Sequence, residues 1–220
     1  MDWQDIVLYV AINAIPLVLA ITLHEAAHGW TAMRFGDRTA WMLGRVSMNP
    51  ARHIDPVGTL LIPLVLLVVS KGGFLFGWAK PVPVNFENLR HPKRDMLWVA
   101  AAGPGANVAM LLGWILVAKI LLASGAGGLA AEFWIRVADA GIIWNLSLAI
   151  LNLLPLLPLD GGRILASLLP DRLAYAYSRT EPYGMLILLV LVATPVLGWL
   201  LGPIMAAGRR AAYSLLGLQG

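Results

Sequence analysis

The sequence predicts an all-α polytopic membrane protein, a bundle of about five to six transmembrane or re-entrant segments. Hydrophobic residues make up 59% of the chain and charged residues only 13%, which is far from the balance of a soluble domain. Apolar runs long enough to cross a bilayer recur along the chain, with most charges between them. The 220 residues leave room for little else, so we expect a single integral-membrane domain over 1–220. Its core is expected over about 6–170 and a C-terminal membrane segment over about 184–208.

The first segments differ in length and in turn content. A first helix is expected from about Ile6 to Arg34, ending at Gly36. The next apolar run, Val57 to Ser70, is shorter than the roughly 17–25 residues that span a bilayer, so we expect it to re-enter the membrane or to be buried. Residues 72–94 contain paired glycines, Pro81 and Pro83, and a short alternating stretch. This pattern predicts a short membrane-associated β-loop.

Three more apolar segments follow. Helices are expected from Met96 to Ala123 and from Phe133 to Leu154. The last run, Met185 to Ala207, is interrupted at Thr194-Pro195 and fits either one kinked span or a shallow hairpin. The two interpretations place the arginines that follow, Arg209 and Arg210, on opposite sides of the membrane.

The first helix carries the motif His24-Glu25-Ala26-Ala27-His28 near its end. Ionisable groups at membrane depth cost about 2.5 kcal/mol or more, and they persist mainly where they are paired, metal-bound or functional. Residues four apart share one face of a helix, so both imidazoles can reach one cation while Glu25 projects beside it. The motif therefore predicts a hydrolytic metal site, the alternative being a buried His–Glu pair. The chain has no cysteine, so any metal must use nitrogen and oxygen ligands.

A catalytic zinc ion usually takes three protein ligands, so a third ligand is needed. The candidates are His53, His91 or a carboxylate at membrane depth, and Asp160 is the most suitable because two prolines break the helix before it. For Asp160 to meet His24 and His28, the first helix and the Phe133–Leu154 helix must run in the same direction. The Val57–Ser70 run must then enter and leave the membrane on one side.

The distribution of positive charge indicates the orientation. Basic residues follow the first helix and precede the Met96–Ala123 helix, so both loops are expected in the cytoplasm under the positive-inside rule. These residues are Arg34, Arg38, Arg45, Arg52, Lys80, Arg90, Lys93 and Arg94. The net charge of +4 is modest and forms no basic stripe, so no nucleic-acid partner is expected.

Together these motifs resemble the site-2 protease family of intramembrane zinc metalloproteases. The resemblance rests on the His24–His28 motif, on Ala102-Gly103-Pro104 with Asn107, and on the stretch from Asn152 to the Leu159-Asp160-Gly161-Gly162 turn. Residues 49–50, 53–59 and 77–85 look like the compact bacterial branch that lacks a PDZ domain. The resemblance covers about residues 20–165.

The resemblance implies one Zn²⁺ per chain held by His24, His28 and Asp160, with Glu25 as the catalytic residue. Glu25 is placed to act as general base and then general acid. Asn152 is a candidate substrate-binding residue, its alternative being an interhelical hydrogen bond, and Asn107 is a second candidate that could instead brace helix packing. Residues 77–85 could offer a strand edge to an unwound substrate or could simply be a loop.

The implied function is the hydrolysis of peptide bonds in or near transmembrane segments of membrane proteins, as in regulated intramembrane proteolysis. The partners would be a transmembrane substrate and the lipid bilayer. The protein would lie in the bacterial inner membrane, with its site toward the cytoplasm. Two alternatives remain, a membrane metal-ion transporter and a catalytically silent scaffold. His53 and Asp55 could form an accessory metal pair or an ordinary interfacial turn.

Overall fold

The computed structural model of the chain describes residues 3–53, 55–61, 65, 80–125 and 127–217. The helices in these residues are α1 (Trp3–Arg34), α2 (Thr39–Met42), α3 (Pro92–Ala123), α4 (Leu129–Asn152), α5 (Asp160–Leu168), α6 (Asp171–Ser178), α7 (Glu181–Ala193) and α8 (Pro195–Leu216). Two 3₁₀-helices, Pro50–Arg52 and Phe86–Asn88, and a π-helical turn, Pro56–Leu61, lie between α2 and α3. The predicted all-α membrane fold is confirmed, and no strand occurs in the described residues.

Three of these helices, α1, α3 and α4, are long and apolar enough to cross a membrane, and the bent pair α7–α8 brings the count over the described residues to four. The predicted long helices are confirmed, with α3 and α4 each beginning four residues before the expected start. Their outer faces expose large apolar side chains such as Val10, Leu116 and Ile120, which suits contact with lipid. The run Val57–Ser70 lies mostly outside the described residues.

The long helices alternate in direction around α4, which packs against α1, α3 and α8. The backbone N–H of Arg90 donates to Phe35 O at 3.0 Å, so the chain leaves α1 and enters α3 at the same end of the bundle. We call this the site end, because α4 also finishes there, and the opposite end the distal end. The described residues that precede and follow the Val57–Ser70 run are therefore both at the site end, and the re-entrant path expected for the run itself stays a prediction.

Helix α8 runs from the site end to the distal end. Its axis is bent by 80° from that of α7, at the break that Thr194-Pro195 predicted. Gly208 lies against Leu146, and the Tyr213 hydroxyl donates to Asp139 Oδ1 at 2.5 Å. Residues later in α8 thus meet residues earlier in α4, so α8 is antiparallel to α4. The structure favours a kinked span over a shallow hairpin and places Arg209 and Arg210 at the distal end.

Residues 80–88, which we call the strap, lie across the end of α1. Residues 80–85 form no strand, so the β-strand prediction is wrong for them, while residues 77–79 lie outside the described residues. Pro81 and Pro83 have no N–H. The N–H groups of Val82 and Asn85 donate to side-chain carboxylates instead of to a neighbouring strand. The strap is therefore an irregular segment fixed by individual hydrogen bonds.

Asp37 is the main anchor of the strap. It follows Gly36, whose φ of 116° ends α1, and it is fully buried. Its carboxylate accepts hydrogen bonds from the backbone and hydroxyl of Thr39, from the N–H of Asn85 and from the side chain of Asn88. Burial alone would raise the pKa of Asp37, but these hydrogen bonds outweigh burial and hold the pKa below the ordinary value of 3.8.

We expect Asp37→Asn to lower the thermal stability of the purified protein at neutral pH. The new amide would point an N–H at donors, and one unsatisfied buried group costs about 1–3 kcal/mol. Because the pKa of Asp37 is lowered by folding, its stabilisation is complete above the unfolded pKa near 3.8 and is lost as the pH falls further. Melting curves in detergent should therefore show that the difference in melting temperature between wild type and variant becomes smaller at acidic pH. Asp171→Asn, which removes the exposed ion pair between Asp171 and Lys93, should change the melting temperature little.

Candidate active site

The structure brings together the three residues that the sequence predicts as metal ligands. His24 and His28 come from the last third of α1, and Asp160 is the first residue of α5. The Nε2 atoms of the two histidines are 3.1 Å apart. The Nε2 atoms of His24 and His28 are 3.2 and 3.3 Å from the carboxylate oxygens of Asp160. All three residues are at most 9% exposed.

The protons on both imidazoles are directed away from Asp160. His28 Nδ1 lies 2.7 Å from the backbone carbonyl of Val99, and a carbonyl can only accept, so Nδ1 carries the proton. His24 Nδ1 lies 2.6 Å from Asn107 Oδ1 and donates in the same way. In its neutral form, each ring then presents an unprotonated Nε2 to the space in front of Asp160.

This arrangement fits a metal ion. Two nitrogen lone pairs and a carboxylate converge in a buried place, and Asp160 Oδ2 has no hydrogen-bond partner among the described residues. His24, His28 and Asp160 form the only group of at least three histidine or acidic side chains within metal-binding distance in the described part of the chain. Imidazole and carboxylate are ligands of zinc, and an outer hydrogen bond from Nδ1 is the usual support of a zinc-bound histidine.

Gly103 allows α3 to approach this cluster. A Cβ atom at Gly103 would lie 2.3 Å from His28 Nε2 and 2.6 Å from His24 Nε2. Gly105, two residues further along α3, shows no such contact. A Cβ at Gly105 would meet nothing within 4 Å. Gly103 therefore makes room for the candidate metal site, whereas Gly105 faces outward.

Glu25 lies beside the ligands in a cavity of about 340 Å³. Its Oε2 accepts a hydrogen bond of 2.7 Å from the backbone N–H of Val82 in the strap. The cavity walls come from α1, the strap, α3, the end of α4 and α5. They include Pro81, Val84, Phe86, Met96, Ala100, Asn152, Leu159 and Arg163. A carboxylate and a candidate metal site thus share one mostly apolar cavity.

The two predicted asparagines lie in different places. Asn152 lines the cavity, and its side chain donates to Leu148 O at 3.0 Å. Asn107 is fully buried behind His24 and is not part of the cavity wall. The position of Asn152 suits contact with a substrate, whereas the position of Asn107 suits support of a ligand.

The other histidines lie apart from the cluster. His53 is buried, with Nε2 3.0 Å from Ser47 O. The Asp55 side chain accepts from the N–H groups of Val57 and Gly58, as in an ordinary turn. His91 is exposed at the start of α3. The described residues thus support the interfacial turn over an accessory metal pair.

The sequence did not indicate the contact between Val82 and Glu25. The donor is a backbone N–H, which every residue except proline has, so the residue type carries no signal. The two flanking prolines are the only local cue, because they leave Val82 as the sole N–H donor in residues 81–83.

Two imidazoles, two carboxylates and a cavity among membrane helices define the site of a membrane-embedded metal-dependent hydrolase. A family model described as Peptidase family M50 matches residues 110–194. "Putative zinc metalloprotease YwhC" of Bacillus subtilis (strain 168) is 36% identical over an alignment of 226 residues, gaps included, that covers 96% of each chain. No solved structure gives a significant match.

Two mycobacterial proteins, both named "Putative zinc metalloprotease Rip2", are similar over a smaller share of their length. The protein from Mycolicibacterium smegmatis (strain ATCC 700084 / mc(2)155) is 30% identical over 82% of this chain and 66% of its own. The protein from Mycobacterium tuberculosis (strain ATCC 25618 / H37Rv) is 30% identical over 84% of this chain and 68% of its own. The chain thus belongs to peptidase family M50, the site-2 proteases, and is a zinc metalloprotease of the membrane. No PDZ domain is found in its 220 residues.

Proposed function

We propose that this protein hydrolyses peptide bonds in or near transmembrane segments of other membrane proteins, using His24, His28 and Asp160 as zinc ligands and Glu25 as general base. The convergence of the two Nε2 atoms and the Asp160 carboxylate within 4.8 Å, in residues far apart in the chain, carries this proposal. The catalytic unit is one domain, with its core over about 6–170.

The residues divide the chemistry between them. When bound, zinc would polarise the scissile carbonyl and make water more acidic. Glu25 takes the proton of the attacking water and returns it to the departing amine, as a general base and then a general acid. The Val82 N–H holds Oε2 of Glu25, which leaves Oε1 to meet the water. Asn152 on the cavity wall can donate or accept toward the substrate backbone.

The chemistry favours an extended peptide over a helix. The carbonyls of a helix are engaged in internal hydrogen bonds, so a scissile bond within a helix is not free to react. A substrate helix therefore unwinds locally before its backbone reaches Glu25, and the strap lies at the cavity wall where the unwound segment enters.

The charges favour a cytoplasmic site in the inner membrane of a bacterium. Most lysines and arginines of the described residues lie at the site end, in its loops, its short helices and the adjoining ends of α1 and α3, as the positive-inside rule requires of the cytoplasmic side. They are Arg34, Arg38, Arg45, Arg52, Lys80, Arg90, Lys93, Arg94, Arg163, Arg172 and Arg179. The distal end has Lys119, Arg136, Arg209 and Arg210.

Metal removal tests the proposed activity. The purified protein in liposomes with a single-span test substrate should produce two fragments. A zinc chelator should reduce the rate by at least about 10²-fold, since both activation of water and polarisation of the carbonyl are lost. Stoichiometric zinc should restore the rate. The measurement is the rate of fragment formation by gel and the cleavage position by mass spectrometry.

The same preparation separates the two alternatives. A metal-ion transporter would move zinc into the liposomes and leave the substrate intact. A silent scaffold would bind the substrate without cutting it. Either result, in a preparation that holds one zinc per chain, would contradict the proposed function.

A further inference from the structure

His24 is supported from behind by two buried asparagines, one of which lies outside every motif that the sequence indicated. Asn107 on α3 and Asn145 on α4 are both 0% exposed. Asn107 Oδ1 is 2.6 Å from His24 Nδ1. Asn107 Nδ2 donates to Asn145 Oδ1 at 3.0 Å, and Asn145 Nδ2 donates to Gly141 O at 2.9 Å. Together these bonds form a hydrogen-bond relay from His24 through Asn107 and Asn145 to Gly141 O, which connects α1, α3 and α4.

The donors and acceptors of this relay can be arranged in only one way. Gly141 O is a carbonyl and can only accept, so Asn145 must turn its NH₂ group toward it and its oxygen toward Asn107. Asn107 must then direct its NH₂ group to Asn145, and the same group reaches the carbonyl of Ala20 at 3.3 Å. The oxygen of Asn107 therefore faces His24, which must carry its proton on Nδ1.

The two histidines thus reach the same protonation state by different routes. His28 Nδ1 donates directly to a backbone carbonyl, that of Val99, which no substitution removes. His24 depends on two side chains, and without Asn145 only the longer bond to Ala20 O would keep Asn107 in its orientation. A rotated Asn107 would present NH₂ to His24 and favour the proton on Nε2, where it blocks a metal bond.

We infer that Asn145 is a positioning residue of the metal site: through Asn107 it fixes the proton of His24 on Nδ1 and leaves Nε2 free to bind zinc. This inference rests on the ligand set of the proposed function, although it can be tested by metal binding without any peptide hydrolysis.

Asn145→Ser is the most specific variant. A serine hydroxyl in a helix can bond to the carbonyl four residues back, as Ser147 does with Ile143 O and Ser167 with Arg163 O. Asn145→Ser would keep a bond to Gly141 O and be too short to reach Asn107. Ser147→Ala is the matched control, since it loses a bond of the same kind on the same helix but has no contact with the relay.

The readout is the zinc dissociation constant, measured by competition with a chelating dye in detergent. Asn145→Ser should weaken zinc binding by about 10- to 100-fold, the usual effect of losing an outer hydrogen bond of a ligand. Asn107→Ala should weaken it at least as much, and the double variant should be no worse than Asn107→Ala alone, because Asn145 acts only through Asn107. Ser147→Ala should bind zinc like wild type.

Two results would overturn the inference. One is wild-type zinc affinity in Asn145→Ser, and the other is a double variant whose loss equals the product of the single losses, which indicates an independent packing effect. Should a variant fail to fold, the ¹⁵N chemical shifts of His24 in the zinc-free wild type decide the matter. They must report a proton on Nδ1, and a proton on Nε2 would contradict the relay. If zinc binds as expected but no peptide is cut, only the proposed function fails.

Discussion

Glu25→Gln is expected to abolish peptide hydrolysis while zinc stays at one per chain. The amide of glutamine cannot take a proton from water, and loss of a general base or acid costs about 10²- to 10⁴-fold in rate. Gln can still accept the N–H of Val82, so the strap keeps its anchor on this side chain. Fragment formation from the test substrate gives the rate, and elemental analysis of the same sample gives the zinc content.

The zinc measurement makes this result specific. If Glu25→Gln lost both activity and zinc, Glu25 would act in metal binding or folding rather than in proton transfer. Equal product from wild type and variant would reject hydrolysis by this site. The retained hydrogen bond to Val82 predicts that the melting temperature of the variant stays close to that of wild type.

Gly103→Ala is expected to remove zinc binding and activity together. The added methyl group would lie 2.3 Å from His28 Nε2 and 2.6 Å from His24 Nε2, which no side-chain contact tolerates. Both imidazoles would have to move away from Asp160, and displacements near 1 Å cost about 10²-fold in rate. Zinc content and cleavage rate should therefore fall in parallel, in contrast to Glu25→Gln.

Gly105→Ala is the matched control for this prediction. It places the same methyl group two residues further along α3, where nothing lies within 4 Å, so zinc content and rate should stay at the wild-type level. In an exposed helical position alanine is also the better helix former. If Gly103→Ala bound zinc and cleaved substrate like Gly105→Ala, the close approach of α3 to the ligands would be refuted.

Much of the fold and the ligand set could be predicted from residue types alone. The apolar runs gave the positions of α1, α3 and α4 because the length of a bilayer-spanning helix is a local property of the sequence. His24, Glu25, His28 and Asp160 could be proposed as site residues because ionisable groups in hydrocarbon are rare and costly, so each requires an explanation. The break at Thr194-Pro195 followed from the missing N–H of proline.

The tertiary structure alone decided the parts that depend on which face of a helix meets a neighbour. Gly103 and Gly105 look alike in sequence, yet they lie about 200° apart around α3, and only Gly103 faces the ligands. The direction of α8 was open until its contacts with α4 were known.

The hydrogen bonds that hold Glu25 and His24 in place also could not be predicted from the sequence. Val82 acts through a backbone N–H, which the residue type does not reveal. Asn145 is an amide at membrane depth and could have been suspected for that reason, but its partner 38 positions away in the chain is set by the packing of α3 on α4. The sequence by itself thus determined which groups are proposed to do the chemistry, because polar residues within a membrane segment are conspicuous. Only the packing of helices decided what holds those groups in place, because contacts between distant segments leave no local pattern.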